Sequence, residues 1–562
     1  MANTLAESKN EIFADLERRV RDKILERSNA DLLKKLIEKT DNVTEAIAVA
    51  ELGTTYKRTG LHFDKRLEKW DNTIKYFKKN ESLSFTETQK LEKEQSLFKE
   101  DSKPLTHKLI IGDNYDALLN LLIQYRGQVD VIYIDPPYGK DSMGEFAQTN
   151  YENAITRDNL LSMLYPRLVL AKQLLSDNGV IFCSIDDRNQ AYVKCLFDEV
   201  FEERNFLAQI VLKSNPGGRD YGGLALTHEY ITCYRNGFES ELNLVLDSQK
   251  KFEYKDSIGE FDTRELRNRN IKFNDKNRPN LCYSFYVNKN NIDENGLYEV
   301  SFEKKTDYIE VLPLKSQEIQ TVWRWGKEKA LENLNINVKA KLKQDGTFKI
   351  VEKYRSPYRM ERTIWDETSI RNEAGSLILK DIFDAKPFDY PKSVETIKRL
   401  VALGTNENSI ILDFFAGSGT TGQAVLELNA EDRRGGKEAN RTFILCTSNE
   451  KTDTTPNGVA TDVTSKRLKR VMTGECYDGT NNFKWLKENN PLGDNLDVYE
   501  IGTVANFETT VGKTPFDVID ETLYGQEKFE IIQEKIEWVI ANFEGTQKMV
   551  EADAEWRKRK EE

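Results

Sequence analysis

The chain is predicted to fold as an α/β protein around a doubly wound, Rossmann-like sheet. Two observations carry this. From about residue 105, short apolar runs alternate with amphipathic stretches. Two of the runs also end in turn chemistry: Asp135-Pro136-Pro137-Tyr138 after VIYI, and Asp413-Phe414-Phe415-Ala416-Gly417-Ser418-Gly419-Thr420 after SIIL. β-Branched runs stopped by Gly or Pro read as strands, and strands alternating with helical patterns imply parallel crossovers.

Residues 1–104 are rich in Lys and Glu at helical spacing (NADLLKKLIEKTDNVTEAIAVAEL) and read as a helical region for packing or assembly, its charges on a solvated face. Within 105–235, HKLIIGDN and QVDVIYIDPPYG are strands flanking the helix DALLNLLIQY. DNLLSMLYPRLVLAKQLLSDNG reads as one helix with an Asn-Gly stop, GVIFCSIDD as a third strand, and FLAQIVLKSNPGG and HEYITCYRN as two more around a Gly-rich loop. Residues 236–380 are polar and irregular, with aromatic punctuation (YSFYVN, VWRWGKEK, RTIWDE), as in an inserted domain. The α/β texture returns in 381–475 with NSIILDFFAGSGTTGQAVLEL and NRTFILCTSNE. Residues 476–562 close with a charged helix from about Glu521.

Composition sets bounds. At 562 residues, two to four domains of ~100–200 residues are expected. No run approaches the ~18 apolar residues of a membrane span, and the charged N-terminus lacks a secretory signal, so a cytoplasmic, non-membrane protein is expected. The six cysteines form no CxxC pair and there are three histidines, which argues against a metal site or a disulfide framework. Cys183 and Cys446 lie in apolar runs and are expected to be buried. A net charge of −12 excludes a basic coat but not a basic cleft.

The glycine loop follows a strand, where open parallel sheets bind ligands. Gly417 and Gly419 let the backbone approach a ligand, and Thr420 and Thr421 are candidate helix caps. G-S-G-T-T-G formally matches a dinucleotide fingerprint. However, Asp413 ahead of the glycines would repel a pyrophosphate and suits a cationic ligand such as S-adenosyl-L-methionine, with its ammonium and sulfonium. Glu450, after FILCTSN, stands where an acid accepts from ribose hydroxyls.

The two prolines of Asp135-Pro136-Pro137-Tyr138 fix two φ angles and remove two N–H donors. The turn then presents a carboxylate, backbone carbonyls and one ring, which suits a flat amine. An adenine N6 could donate to Asp135 and to the Pro136 carbonyl while Tyr138 stacks on the base. No Pro is followed by Cys, so the nucleophile of a cytosine-C5 enzyme is missing.

These motifs together resemble the amino-methyltransferases of DNA, in the permuted β class where DPPY precedes the FxG loop. KLIIGDNYDALLNLL, THEYITCYRN, WRWGKEK and FDYPKSVETIKRLV sharpen the resemblance towards the modification (Mod) subunits of Type III restriction systems, over roughly residues 105–450. The resemblance implies adenine-N6 methylation of double-stranded DNA, a target-recognition insert at 236–380, and a helicase-nuclease (Res) partner. It further implies that Asp113 contacts the cofactor adenine, that Lys392 and Ser393 cradle the methionine end, that Asp413 to Thr420 form the cofactor loop, and that Glu450 takes the ribose. Gly139-Lys140-Asp141-Ser142 departs from the Asn-Thr-Gly usual after DPPY.

In the insert, TRELRNRNIKFNDKNRPN and VWRWGKEK offer the residue types that read bases. Trp323 and Trp325 suit core packing as well as stacking, and the Arg264–Arg278 run suits a solvated or phosphate-binding surface. The loop Asn215–Gly223 either closes on substrate or merely connects. The terminal helices are candidates for homodimer or partner contacts. Three alternatives stay open: a cytosine-N4 enzyme, which more often carries Ser ahead of Pro-Pro-Tyr, an orphan methyltransferase, and a specificity subunit that binds DNA without catalysis.

Overall fold

The computed structural model describes residues 5–21, 25, 27–51, 73–86, 104–138, 157–217, 223–237, 241–247, 250–505 and 513–544. The Gly139-Lys140-Asp141-Ser142 loop, residues 218–222 of the Asn215–Gly223 loop, and the tail 545–562 lie outside them.

Ten strands form one sheet: β1 Thr73–Lys79, β2 Thr106–Ile111, β3 Val129–Ile134, β4 Leu175–Ile185, β5 Phe206–Leu212, β6 Glu229–Arg235, β7 Ile364–Trp365, β8 Ile410–Asp413, β9 Thr442–Thr447 and β10 Asn495–Ala505. Their spatial order is β1-β10-β2-β9-β8-β3-β4-β6-β5-β7. The run from β10 to β4 is parallel, whereas β6 is antiparallel to β4 and to β5. The expected doubly wound α/β fold is therefore present, with an antiparallel strand intercalated near one side.

β3 and β8 read as near-continuous apolar runs because both faces of the sheet are covered. Ile132 and Ile134 join the core made with helices Asn114–Tyr125, Arg157–Leu174 and Gln190–Phe201. Val131 and Tyr133 point the other way, into the core made with Val394–Gly404, Thr420–Arg434 and Ser465–Thr473. From β3 the chain winds outward to β4, and from β8 it winds outward to β9 on the other side. The switch point of the sheet thus falls between β3 and β8, where such folds open a crevice at the carboxyl ends of the strands.

Several elements differ from expectation. The expected borders at 104 and 475 cut through this sheet, because β1 and β10 pair with each other at its edge and β10 also pairs with β2. β1 is the edge strand, and Lys75, Lys78 and Lys79 give it the charge that protects an open edge. The same lysines gave it the texture of a helical surface. The helix Arg157–Leu174 stops before Asn178-Gly179, which instead occupies a register shift where β4 joins β3. In the insert, β7 already returns to the main sheet beside β5. In the tail, the continuous helix starts at Ile532, because Gly525, at φ +78°, ends a short turn at Glu521–Tyr524.

The insert forms its own seven-stranded sheet, from Tyr254–Lys255 to Phe348–Tyr354, over a core of Phe285, Val338, Ile350 and Trp323. Trp323 is buried and its indole N–H donates to the Tyr283 carbonyl at 2.7 Å, so the core-packing reading holds for it. Trp325 is half-buried against the same core. Three N-terminal helices, Leu5–Arg21, Arg27–Glu38 and Val43–Glu51, pack on a separate small core of Leu16, Leu33, Ile37, Ala46 and Ala50. Among the described residues no helix is long and apolar enough to cross a membrane.

Candidate active site

Asp135 follows β3 and Asp413 ends β8, and these strands are hydrogen-bonded neighbours with Val131 beside Ile411 and Ile132 beside Leu412. The structure therefore brings the proline turn and the glycine loop to one edge of the sheet. A side-chain brace links this edge further. The Asn114 amide donates to the Phe414 carbonyl at 2.8 Å, and Arg167 in turn donates to Asn114 at 2.5 Å.

Around the proline turn, four side chains close a ring. The Tyr138 hydroxyl donates to Asp135 at 2.9 Å. The Lys392 ammonium donates to Tyr138 at 2.9 Å and to Glu229 at 2.8 Å, and lies 3.3 Å from Asp135. Glu229, at the start of β6, also lies 3.4 Å from both the Tyr138 hydroxyl and the Asn372 amide. Lys392 is held from behind by the helix Asn372–Phe383: a Cβ on its Gly375 would come within 2.5 Å of the Lys392 carbonyl.

Burial raises the Asp135 carboxyl above its ordinary range. Lys392 opposes that shift and Glu229 adds to it. Burial opposes the Lys392 ammonium, but Asp135 and Glu229 outweigh it and hold its pKa above the lysine value. Burial and then the two carboxylates push Tyr138 well up, so it stays a donor.

The glycine loop is built differently. Asp413 is 2 % exposed and both its oxygens are used. One accepts the Phe415 N–H at 3.0 Å and the other the Thr421 hydroxyl at 2.5 Å. Burial pushes its pKa up to about 7, against these two hydrogen bonds. Gly417 (φ +49°) and Gly419 (φ +79°) take left-handed backbone. Gly419, not Thr420 or Thr421, occupies the N-cap of the helix Thr420–Arg434, because only a residue free to take that φ fits there. Thr421 is spent on Asp413 instead. Underneath, buried Arg467 donates to the Ser418 carbonyl at 3.2 Å, to Thr420 at 2.8 Å and to Gln423 at 2.9 Å. Thr464 donates to the Gly417 carbonyl at 2.6 Å.

The remaining expected residues fall around the same edge. Asp113 caps the helix Asn114–Tyr125 through the Tyr115 N–H at 2.7 Å and pairs with Arg167 at 3.2 Å, its carboxylate still half-exposed. Glu450 is exposed just beyond β9. Ser393 caps the helix Val394–Gly404 and donates to the Ser369 carbonyl at 2.6 Å. Lys392, expected at the methionine end of a cofactor, has its ammonium bound to Asp135, Tyr138 and Glu229. Two carboxylates hold it there. Glu229, Asn114, Arg167 and Arg467 were not singled out from the sequence. Only Glu229 carried a signal, an acid opening an otherwise apolar strand.

A family model described as DNA methylase matches residues 129–452, which contain both motifs and the insert. The chain belongs to the DNA methylase family. Among relatives of this DNA methylase, the EcoPI Mod subunit of the Type III restriction-modification enzyme from Escherichia phage P1 is 30% identical over 419 residues, covering 66% of this chain and 63% of that subunit. The StyLTI Mod subunit from Salmonella typhimurium is 29% identical, over 61% of this chain and 52% of that one. The Type II methyltransferase M.KpnI from Klebsiella pneumoniae is 31% identical, over 61% of this chain and 80% of that one. The chain thus covers less than two thirds of the length of either Mod subunit. A second model, of an uncharacterised conserved protein, matches residues 10–131.

Proposed function

We propose that this DNA methylase transfers a methyl group from S-adenosyl-L-methionine to N6 of an adenine in double-stranded DNA, as the modification subunit of a Type III restriction-modification system with a helicase-nuclease partner. The observation that supports it best is the adjacency of β3 and β8, which sets an acceptor-rich corner beside a glycine loop at the switch point. The likeness to Mod subunits supports the system and the partner. The seven-stranded insert is the proposed target reader, and the N-terminal helices, with Leu32, Leu36 and Ile47 exposed, are proposed for homodimer contacts.

The donor set fits the cofactor. At the ends of β2 and β9 stand Asp113 and Glu450, exposed acids suited to hydroxyl and amine donors rather than to a pyrophosphate. Gly417 and Gly419 supply the left-handed backbone that the turn of the loop requires. Glu450 is the proposed ribose acceptor and Asp113 the proposed partner of the adenine, while Phe414 to Thr420 form the cradle. When bound, S-adenosylmethionine supplies an electrophilic methyl group on its sulfonium.

The proline corner performs the rest. A flipped adenine, unpaired at a cost of a few kcal/mol, donates its N6 hydrogens to Asp135 and to the Pro136 carbonyl. Both acceptors are fixed beforehand, Asp135 by Tyr138 and Pro136 and Pro137 by their rings. They pull the nitrogen towards tetrahedral geometry and release its lone pair for in-line attack. Preorganised polar groups of this kind contribute several kcal/mol. Asp135 would take up the N6 proton that methylation releases, its raised pKa suiting it as acceptor, while the methyl–sulfur bond of the sulfonium would break to leave a neutral thioether. An acid at this position favours adenine over cytosine-N4. Mass spectrometry of nucleosides from DNA treated with the protein should show N6-methyladenine; N4-methylcytosine alone, or no methylated base, would contradict the assignment.

A further inference from the structure

Two carboxylates share one ammonium in the site. Lys392 stands nearer to Glu229 (2.8 Å) than to Asp135 (3.3 Å), and its other hydrogen bond runs to Tyr138 (2.9 Å). Glu229 is 6 % exposed and opens β6, next to β4 and two strands from β3. A single lysine beside a single acceptor aspartate would close on it and compete with an incoming amine for the same lone pairs.

We propose that Glu229 is a positioning residue that holds the Lys392 ammonium as its own counter-ion, so that the ammonium stays beside Asp135 without closing on it and leaves Oδ2 of Asp135 open to the amine of the target base. This rests on the reading of Asp135 as amine acceptor. The Asn372 amide, 3.4 Å from Glu229, lies where the chain returns from the insert to the sheet, so the lock touches the segment that joins the insert to the core.

The charged and titratable groups facing the pair from the packed elements are Lys392, Tyr138, Tyr133, Cys183 and Asp413. Tyr133, Tyr138 and Cys183 are pushed far up by burial and do not titrate near neutrality. Asp413 does, but it is common to every variant below, so differences between variants report on the lock.

The test is the acid limb of the pH profile of single-turnover methylation, alongside binding of S-adenosylmethionine. Glu229→Gln removes a like charge and frees Lys392 to close on Asp135. Both effects lower the Asp135 pKa, so the limb moves down by about one pH unit, while the maximal rate falls about tenfold because the amine must displace the ammonium. Lys392→Met leaves two carboxylates without their cation, and the limb moves up by about one unit or more. Glu229→Gln with Lys392→Met, a neutral pair, brings the limb back between the two single variants. Cofactor binding stays within about threefold throughout. Two single variants that lose rate with the limb unmoved, or moved in the same direction, overturn the proposal. If Lys392→Met does not fold, a Glu229→Gln limb that fails to move down is sufficient to reject it. Full activity of Asp135→Ala would instead refute the underlying reading, leaving the two failures distinct.

Discussion

Asp135 and Asp413 sit at the ends of neighbouring strands, yet their surroundings differ in kind. Asp135 is partly exposed, faces an ammonium and donates its geometry outward. Asp413 is sealed and has no cation among its hydrogen-bond partners, which are a hydroxyl and a backbone N–H of its own loop. The sequence reading gave both acids a ligand to bind. The structure assigns the second one inward: Asp413 shapes the loop from below, and what the loop offers a ligand is backbone. An acid near a binding loop therefore acts through contact or through shape, and its burial and partners decide which.

The largest effect expected from this contrast is at Asp135. Asp135→Ala should cut methyl transfer at least about 1,000-fold while S-adenosylmethionine binding, followed by calorimetry, stays within about threefold. A matching loss of binding would erase the distinction between the two acids. Asp413→Asn should have the smaller, pH-dependent effect. The raised folded pKa, about 7, means that the protonated acid is favoured in the folded state. Its contribution to stability is thus intact below the ordinary value near 3.8 and is lost as pH rises through about 7. An asparagine does not titrate. The melting temperature of Asp413→Asn relative to the unsubstituted protein should then rise between pH 4 and pH 7.5, by about 2–4 °C for each kcal/mol of the lost penalty. A difference independent of pH would mean that Asp413 is charged and satisfied as it stands.

The pairing of motifs was legible because each is local. A proline-locked acid and a glycine turn behind an apolar run keep their meaning wherever the rest of the chain goes. Their adjacency followed from the fold class, since alternating strands and helices leave few topologies. What was not legible is non-local. Glu229 gains its role only from Lys392, 163 residues away, and Lys392 was placed at the methionine end of a cofactor by the resemblance of FDYPKSVETIKRLV alone. β1 was missed because an edge strand carries lysines for protection, and charge spacing on a strand edge imitates a solvated helix. Arg467 was invisible for the opposite reason: within SKRLKR nothing separates the fully buried arginine from the half-buried Lys466, Lys469 and Arg470.

The central claim is spatial, that the loop after β8 and the corner after β3 serve a single reaction. It is tested most directly by a crystal structure of the protein with S-adenosylhomocysteine. The account predicts the thioether sulfur above Phe415–Gly417, facing the space beside Asp135 and within the ~3–3.5 Å reach, plus one methyl group, that transfer to a bound amine requires. A ligand seated away from that loop, or with its sulfur turned from Asp135, would contradict it.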